Sequence, residues 1–485
     1  MIQRRINMKK LNVIPTPKFV KAGCRTLVLD LKVAYDDVFS DCANTFIATA
    51  KRLYDVDFAL GEGGVAFKKV EGLEKEEYKV TVSKNGILVE ASESDGAHNA
   101  ASTIYQILNV KDGALSATYC QISDKPDCSY RAIMLDMPAN MRTFEQVLHY
   151  ADICYLYKIK YLHLHLADNG GYNLPSKKFP KLPTPGKHYT LEQIDILRKY
   201  CAERGIIIIP EVDVPGHATY LNVSYPELFG CTPIEGEARK DLVCIGKPGV
   251  MDNLKAIFEE VIELFPEAPY IHIGGDEAII DAWNNCEDCK KYMSENGLKD
   301  VKALYTRSIK LLTDMILGLG KTPVVWEGFP RDGAEEISRD VIVTAWESLY
   351  HLPNELLEEG FTVTNSSWEP LYVVDPNGYH GQFVKGGRWQ PKDVLEDWNV
   401  YTWKNWWDKS AAYEKPIVVE PTDKVIGATF CAWTWSYDID INPIKENVPA
   451  MCEKIWNKNS DCTFEEFEPA LNKLISLADA LAPKS

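Results

Sequence analysis

Eight short, β-branched apolar runs recur along the last three quarters of this chain, and helix-like stretches separate them. They lie at residues 132–137, 159–166, 206–212, 270–273, 323–326, 341–345, 361–364 and 425–431. Amphipathic segments at 144–157, 191–204, 251–265 and 301–319 fall between several of them. A strand that is apolar along its whole length, rather than on alternate residues, is buried on both faces. Helices between such strands give a parallel sheet covered on each side. Eight of these units over roughly 310 residues predict a (β/α)8 barrel. The first 125 residues read differently, as short runs at 26–31, 78–82 and 86–90 ahead of a helix-like stretch at 96–108. A Pro-containing segment at 123–127 separates the two parts. The expected fold class is therefore α/β: a TIM barrel over 126–485, closed by a helix at 464–481 and preceded by a small α+β domain over 1–125.

Polar and aromatic residues follow the runs: Asp168, Glu211 with Asp213, Asp276 with Glu277, Trp326 with Glu327, Trp346 with Glu347, and Trp433. In such a barrel the C-terminal strand ends build the active site, so separate strands deliver acids and tryptophans to one face. The sharpest of these endings is Tyr270-Ile271-His272-Ile273-Gly274-Gly275-Asp276-Glu277. Adjacent side chains on a strand point to opposite faces. The two glycines permit a bend that brings both acids to one cleft. Two acids in one pocket push their pKa values apart, leaving a protonated donor beside a charged carboxylate, as cleavage of a glycosidic bond requires. The plain alternative is a strand end with two solvated acids, and the convergence of the other strand ends favours the pocket. A metal-dependent hydrolase is a rival, because His163, His165, His217, His272 and Asp276 offer a ligand set. It leaves Gly-Gly-Asp-Glu and the tryptophans without a role.

The net charge of −17 argues against nucleic-acid or anionic-membrane partners. No secretory leader and no apolar stretch long enough to span a bilayer is visible. Thirteen cysteines, an odd number scattered through apparent strands and helices, read as reduced thiols of a cytoplasmic protein. Cys286-x-x-Cys289 lacks a second C-x-x-C or a matching His pair and reads as structural rather than as a zinc or redox site.

The blocks together resemble glycoside hydrolase family 20, the β-N-acetylhexosaminidases, from about residue 12 to 437. They are Tyr130-Arg131-Ala132 with Asp136; His163-x-His165-Leu166-x-Asp168; Pro210-Glu211-x-Asp213-x-Pro215-Gly216-His217; His272-x-Gly274-Gly275-Asp276-Glu277; Trp326-Glu327; Trp346; and Ala432-Trp433. The resemblance implies a cofactor-free, metal-free, exo-acting and retaining hydrolase of terminal β-linked N-acetylhexosamine. The substrate's own acetamido group would be the nucleophile, an exception to the two-carboxylate scheme. It implies Glu277 as general acid and then base, Asp276 as acceptor of the acetamido N–H, and Tyr372 as donor to the acetamido oxygen. Arg131 would bond sugar hydroxyls, Asp168 and His217 would support the acid, and Trp326, Trp346 and Trp433 would wall the sugar. The strand reading, however, sets Arg131 at the start of its strand, the end away from the site.

The chain also departs from the family pattern. Arg131-Ala132 stands for Arg-Gly, Ala139-Asn140 for Arg-His, and Asp168-Asn169-Gly170-Gly171-Tyr172-Asn173 for Asp-Asp-Gln-Gly-Trp-Arg. Trp433-Thr434-Trp435 replaces Trp-x-Glu, and Tyr372-x-x-Asp375 stretches Tyr-x-Asp. Trp435 is thus expected to alter recognition of the outer hydroxyls and to suit a modified, epimeric or bulkier sugar. An N-acetylated-glycan-binding barrel without turnover is the second rival. The choice between GlcNAc and GalNAc stays open here, as does a homodimer.

Overall fold

The structure is a computed structural model that describes residues 11–484 apart from 112, 139–140, 376–388 and 435. Eight parallel strands close into a barrel: Tyr130–Asp136, Tyr161–His165, Ile207–Glu211, Tyr270–His272, Thr322–Trp326, Ile342–Ala345, Thr362–Asn365 and Val425–Trp433. Each pairs with the next, and the last pairs with both the seventh and the first, which closes the ring. All eight agree with the sequence reading to within two residues at either end. Helices Phe144–Leu156 and Leu191–Ala202 begin at Thr143 and Thr190, each in a capping box with a glutamine three residues on. The closing helix Phe464–Leu481 lies where expected. The 20-residue helix Tyr437–Trp456, which carries Pro443 and Pro449 within it, was not foreseen. No helix of the described residues is long and apolar enough to cross a membrane.

Period-two alternation sets what fills the barrel. Tyr130, Ala132, Tyr161 and Ile209 pack as a floor layer, with the Tyr130 and Tyr161 rings stacked 5.1 Å apart. Further along the same strands the interior becomes polar, with His163, His165, Glu211 and His272. The amino-terminal domain is a mixed sheet whose central strands include Tyr78–Ser83, Gly86–Ala91 and Ala114–Asp124, packed on helices Ser40–Tyr54 and Ser94–Ile107.

This domain meets the barrel at the floor, and Arg131 belongs to that junction. Its Nε donates to the Lys158 carbonyl at 2.9 Å and Nη1 to the Cys128 carbonyl at 2.7 Å, while the guanidinium pairs with Glu76. The expectation that Arg131 holds sugar hydroxyls is therefore corrected. Tyr130 and Ala132 face the interior, so alternation turns Arg131 outward at the strand's start, the far end from the pocket. Beside it the wholly buried Lys158 Nζ lies 2.8 Å from Tyr78 Oη and 3.4 Å from Asp124 Oδ2.

Candidate active site

At the end of the fourth strand the chain turns sharply. Gly274 and Gly275 have φ of 70° and 98°, and Glu277 itself has φ of 45°. A Cβ on Gly274 would lie 1.8 Å from Asp213 Oδ1, and one on Gly275 would lie 2.6 Å from Val325 Cγ2. Glycine is thus demanded twice, for backbone conformation and for space. The bend is held by Gly275 N–H donating to Asp213 Oδ1 at 3.0 Å and by Tyr305 Oη donating to the Gly275 carbonyl. Its result is that both acids reach one cleft, as the bend was expected to allow, with Asp276 buried and the Glu277 side chain half-exposed. A glutamate in the left-handed region is an uncommon, strained placement of the kind found at functional sites.

Glu277 is tied to a chain of partners. His217 Nε2 lies 3.3 Å from Glu277 Oε2, and His217 Nδ1 lies 2.9 Å from Asp168 Oδ1. Asp168 Oδ2 is 3.1 Å from His165 Nε2, whose Nδ1 is 2.9 Å from Glu211. Burial works against a charge on His217, but the Asp213, Asp168 and Glu277 carboxylates overcome it and hold its pKa well above the ordinary value. Burial and then repulsion from Glu277 and Glu211 push Asp276 up to about 7, against the pull of His217. Asp213 is raised well above the carboxylate range by burial and by the nearby Asp276. Among the described residues, Asp276 Oδ1 has no hydrogen-bond partner although it is buried.

Aromatic rings enclose the acids. Asp136, His165, Asp168, Asp213, His217, Asp276, Glu277, Trp326, Trp346, Trp368, Tyr372, Val374, Asp375 and Trp433 line a cavity of about 320 Å³. Tyr372 reaches it because Tyr372–Val374 forms a short strand parallel to the end of the eighth, Tyr372 opposite Cys431 and Val374 opposite Trp433. The Trp368 ring stacks on Tyr372 with centroids 4.9 Å apart, and the Trp346 ring lies near-parallel to it at 6.3 Å. Trp326 Nε1 donates to Glu211 Oε1 at 2.6 Å, which fixes that indole above the polar interior. Glu347, next to Trp346, is pushed up to about 9 by burial and by the Glu327, Glu277 and Asp276 carboxylates.

Glu327 holds the Trp346 wall in place. Its carboxylate accepts backbone N–H groups from Glu347, Ser348, Leu349 and Tyr350 at 2.7–3.1 Å, and from His351 at 3.4 Å. Trp346 Nε1 donates to the Glu327 carbonyl at 2.8 Å. Ser348 sits at φ 56° within this wrap. Each buried donor left without an acceptor costs about 1–3 kcal/mol. Glu327→Ala is therefore expected to destabilise the fold by about 3–5 kcal/mol in denaturant unfolding. A loss below 1 kcal/mol would show that water replaces the carboxylate without penalty.

Of the residues singled out from sequence, Glu277, Asp276, Tyr372, Asp168, His217, Trp326, Trp346 and Trp433 come together around this cavity. Arg131 does not, and Trp435 lies outside the described residues, as do Ala139 and Asn140. Asp136, His165, Asp213, Trp368, Val374 and Asp375 also line it, none of them given a role in the hydrolase reading of the sequence. Asp136, His165 and Asp213 stood in the quoted blocks, but Trp368 lay beyond a strand end with nothing to distinguish it from core. Of the metal-hydrolase rival's histidines, His163, His165 and His272 surround Glu211, whereas His217 stands beside Glu277 and Asp168. His163 Nε2 is 2.8 Å from the Glu211 carboxylate, and His272 Nδ1 accepts the Gly274 N–H at 3.0 Å.

A closed parallel barrel with carboxylates and stacked tryptophans at its strand C-termini has the architecture of a barrel glycosidase. The chain belongs to glycosyl hydrolase family 20: the family's catalytic-domain profile matches residues 128–459 and its domain 2 profile residues 10–125. Among curated proteins, a beta-hexosaminidase from Porphyromonas gingivalis is 30% identical over 299 residues, covering 56% of this chain and 38% of that protein. One from Akkermansia muciniphila is 31% identical over 284 residues, covering 53% and 57%. The match thus spans less than two thirds of either relative. In solved structures, a GH20 exo beta-N-acetylglucosaminidase from Vibrio harveyi superposes with a TM-score of 0.81 at 24% identity, covering 97% of this chain and 77% of the other. A beta-N-acetylhexosaminidase from Bacteroides fragilis gives 0.78 at 21%, covering 94% and 93%.

Proposed function

We propose that this chain is an exo-acting, retaining hydrolase that removes terminal β-linked N-acetylhexosamine by substrate-assisted catalysis. The observation that carries the reading is the buried, unpartnered Oδ1 of Asp276 beside the half-exposed carboxyl of Glu277, in a cavity walled by Trp326, Trp346, Trp368 and Trp433. A buried carboxylate oxygen without a donor is rare and calls for one. The N–H of a 2-acetamido group supplies it. With that N–H held by Asp276 and the acetamido oxygen held by Tyr372 Oη, the oxygen is fixed for attack on C1. A nucleophile frozen in this way reacts with a large effective molarity. As the C1–oxygen bond to the leaving group breaks, the proton of Glu277 passes to that oxygen and a cyclic oxazolinium forms. Asp276 then faces positive charge that exists only late in the reaction. Water, deprotonated by Glu277, opens the ring and restores the β configuration.

The Vibrio harveyi neighbour is described in complex with N-acetylglucosamine, and a cavity of about 320 Å³ suits one terminal sugar rather than an internal segment. None of the thirteen cysteines is joined in a disulfide, which supports a reducing, cytoplasmic setting. Aryl β-GlcNAc or aryl β-GalNAc is expected to be cleaved, and the aryl β-glucoside, which lacks the acetamido nucleophile, to be cleaved at least about 10³-fold more slowly. Comparable rates on the glucoside would exclude substrate assistance. Tight binding of both amino sugars by folded protein without any turnover would favour the glycan-binding reading.

A further inference from the structure

The unpaired Cys286-x-x-Cys289 of the sequence acquires partners in the fold. Cys231, which follows the short helix Pro226–Phe229, and Cys244, which precedes helix Val250–Leu264, both reach the start of helix Glu287–Glu295, where Cys286 and Cys289 stand. All four are buried, and their sulfurs all lie within 4.8 Å of one another. Cys244 Sγ is 3.4 Å from Cys286 Sγ and 3.6 Å from Cys289 Sγ. A disulfide would need about 2.0 Å. A tetrahedral ion bound at about 2.3 Å from each sulfur sets them about 3.8 Å apart. The cluster therefore has the ligand type, number and spacing of a closed structural zinc site.

The surroundings are also built for it. The Cys244 N–H bonds the Phe229 carbonyl at 2.8 Å, and the Glu287 N–H bonds the Thr232 carbonyl at 3.0 Å. A Cβ on Gly246 would lie 2.3 Å from the Asp288 carbonyl, so the Cys244 loop is pressed against the helix start. Four thiolates around a divalent ion leave a net charge of minus two. The positive end of the dipole of helix Glu287–Glu295, at whose start Cys286 and Cys289 stand, offsets part of it.

We propose that Cys231, Cys244, Cys286 and Cys289 bind one Zn²⁺ ion, each thiol giving up its proton as its sulfur–zinc bond forms. The ion staples two loops that carry the proposed chemistry. The first leaves the third strand and bears Asp213 and His217, and the second leaves the fourth strand and bears Glu277. They already touch near the cluster, where Trp283 Nε1 of the second bonds the Val243 carbonyl of the first at 2.9 Å, and Val243 N–H ties the Cys244 segment back to the Pro215 carbonyl beside His217 at 2.9 Å. The metal is a clamp on the position of the acid relative to His217, with no contact to substrate.

The test is the zinc content of the full chain, purified under reducing conditions with zinc in the medium and read by mass spectrometry. About one zinc per chain is expected, falling at least tenfold in the Cys286→Ser/Cys289→Ser double variant. A second measurement does not depend on that variant folding: wild type stripped of metal is titrated with Co²⁺. The expected signature is thiolate-to-cobalt charge transfer with the intense visible bands of a tetrahedral tetrathiolate, saturating at one equivalent and displaced by zinc. Folded, fully reduced wild type that holds no zinc and gives no such spectrum would overturn the proposal. Iron in place of zinc, or zinc retained in the double variant, would equally overturn it.

Discussion

Replacement of Glu277 by glutamine is expected to lower kcat on glycosides of alkyl alcohols or sugars by about 10²–10⁴, the usual worth of a positioned general acid. On aryl glycosides with strongly acidic phenols the loss in the first step should be far smaller, since such a leaving group departs without a proton. Azide should then rescue turnover of those activated substrates, because it attacks the oxazolinium without needing a base. The structural ground is the half-exposed Glu277 carboxyl at the cavity mouth, linked to His217 at 3.3 Å and through it to Asp168. A loss that is the same for every leaving group would show that Glu277 shapes the pocket rather than moving the proton.

Asp276→Asn is expected to behave oppositely, lowering kcat by about 10²–10³ whatever the leaving group, since its target is the nucleophile and the charge on the ring it forms. Its second signature is in pH. With Asp276 pushed up to about 7 by burial and by its neighbouring carboxylates, the free protein is half-protonated there near neutrality. The ionised form accepts the acetamido N–H more strongly and alone offsets the oxazolinium charge, so kcat/KM should fall as pH drops through about 7. Once the substrate N–H is donated, the charged form is favoured, and the corresponding limb of kcat should lie at lower pH. In Asp276→Asn that acid limb should vanish. A wild-type kcat/KM that is flat down to pH 5 would mean that Asp276 is ionised well below neutrality and that its burial is relieved by water.

The eight barrel strands were legible because a strand buried on both faces has no polar alternate residue to blur it. The acids were legible for the complementary reason, as charges directly after apolar runs. What stayed hidden has equally physical causes. Pro443 and Pro449 disguised a 20-residue helix whose buried face is supplied by tertiary packing, which outweighs local propensity. Trp368 is made a pocket wall by its stacking on Tyr372, a contact that depends on a three-residue strand pairing with the eighth. Arg131 was misassigned because identity with a motif fixes a residue type and says nothing of its direction, which alternation decided otherwise. The cysteine cluster joins positions up to 58 residues apart, since Cys231 and Cys289 meet only when two barrel loops fold together.

The floor of the barrel carries a lesson for anyone wishing to trim the chain. Arg131 and Lys158 belong to the barrel, yet their counter-charges, Glu76 and Asp124, come from the smaller domain. Cutting after residue 125 would strip Glu76 and Asp124 from these cations and open the base of the sheet to solvent. The smaller domain is thus a base plate, and a truncated barrel would inherit two orphan cations whose nearest remedy is to replace them with apolar side chains of similar length.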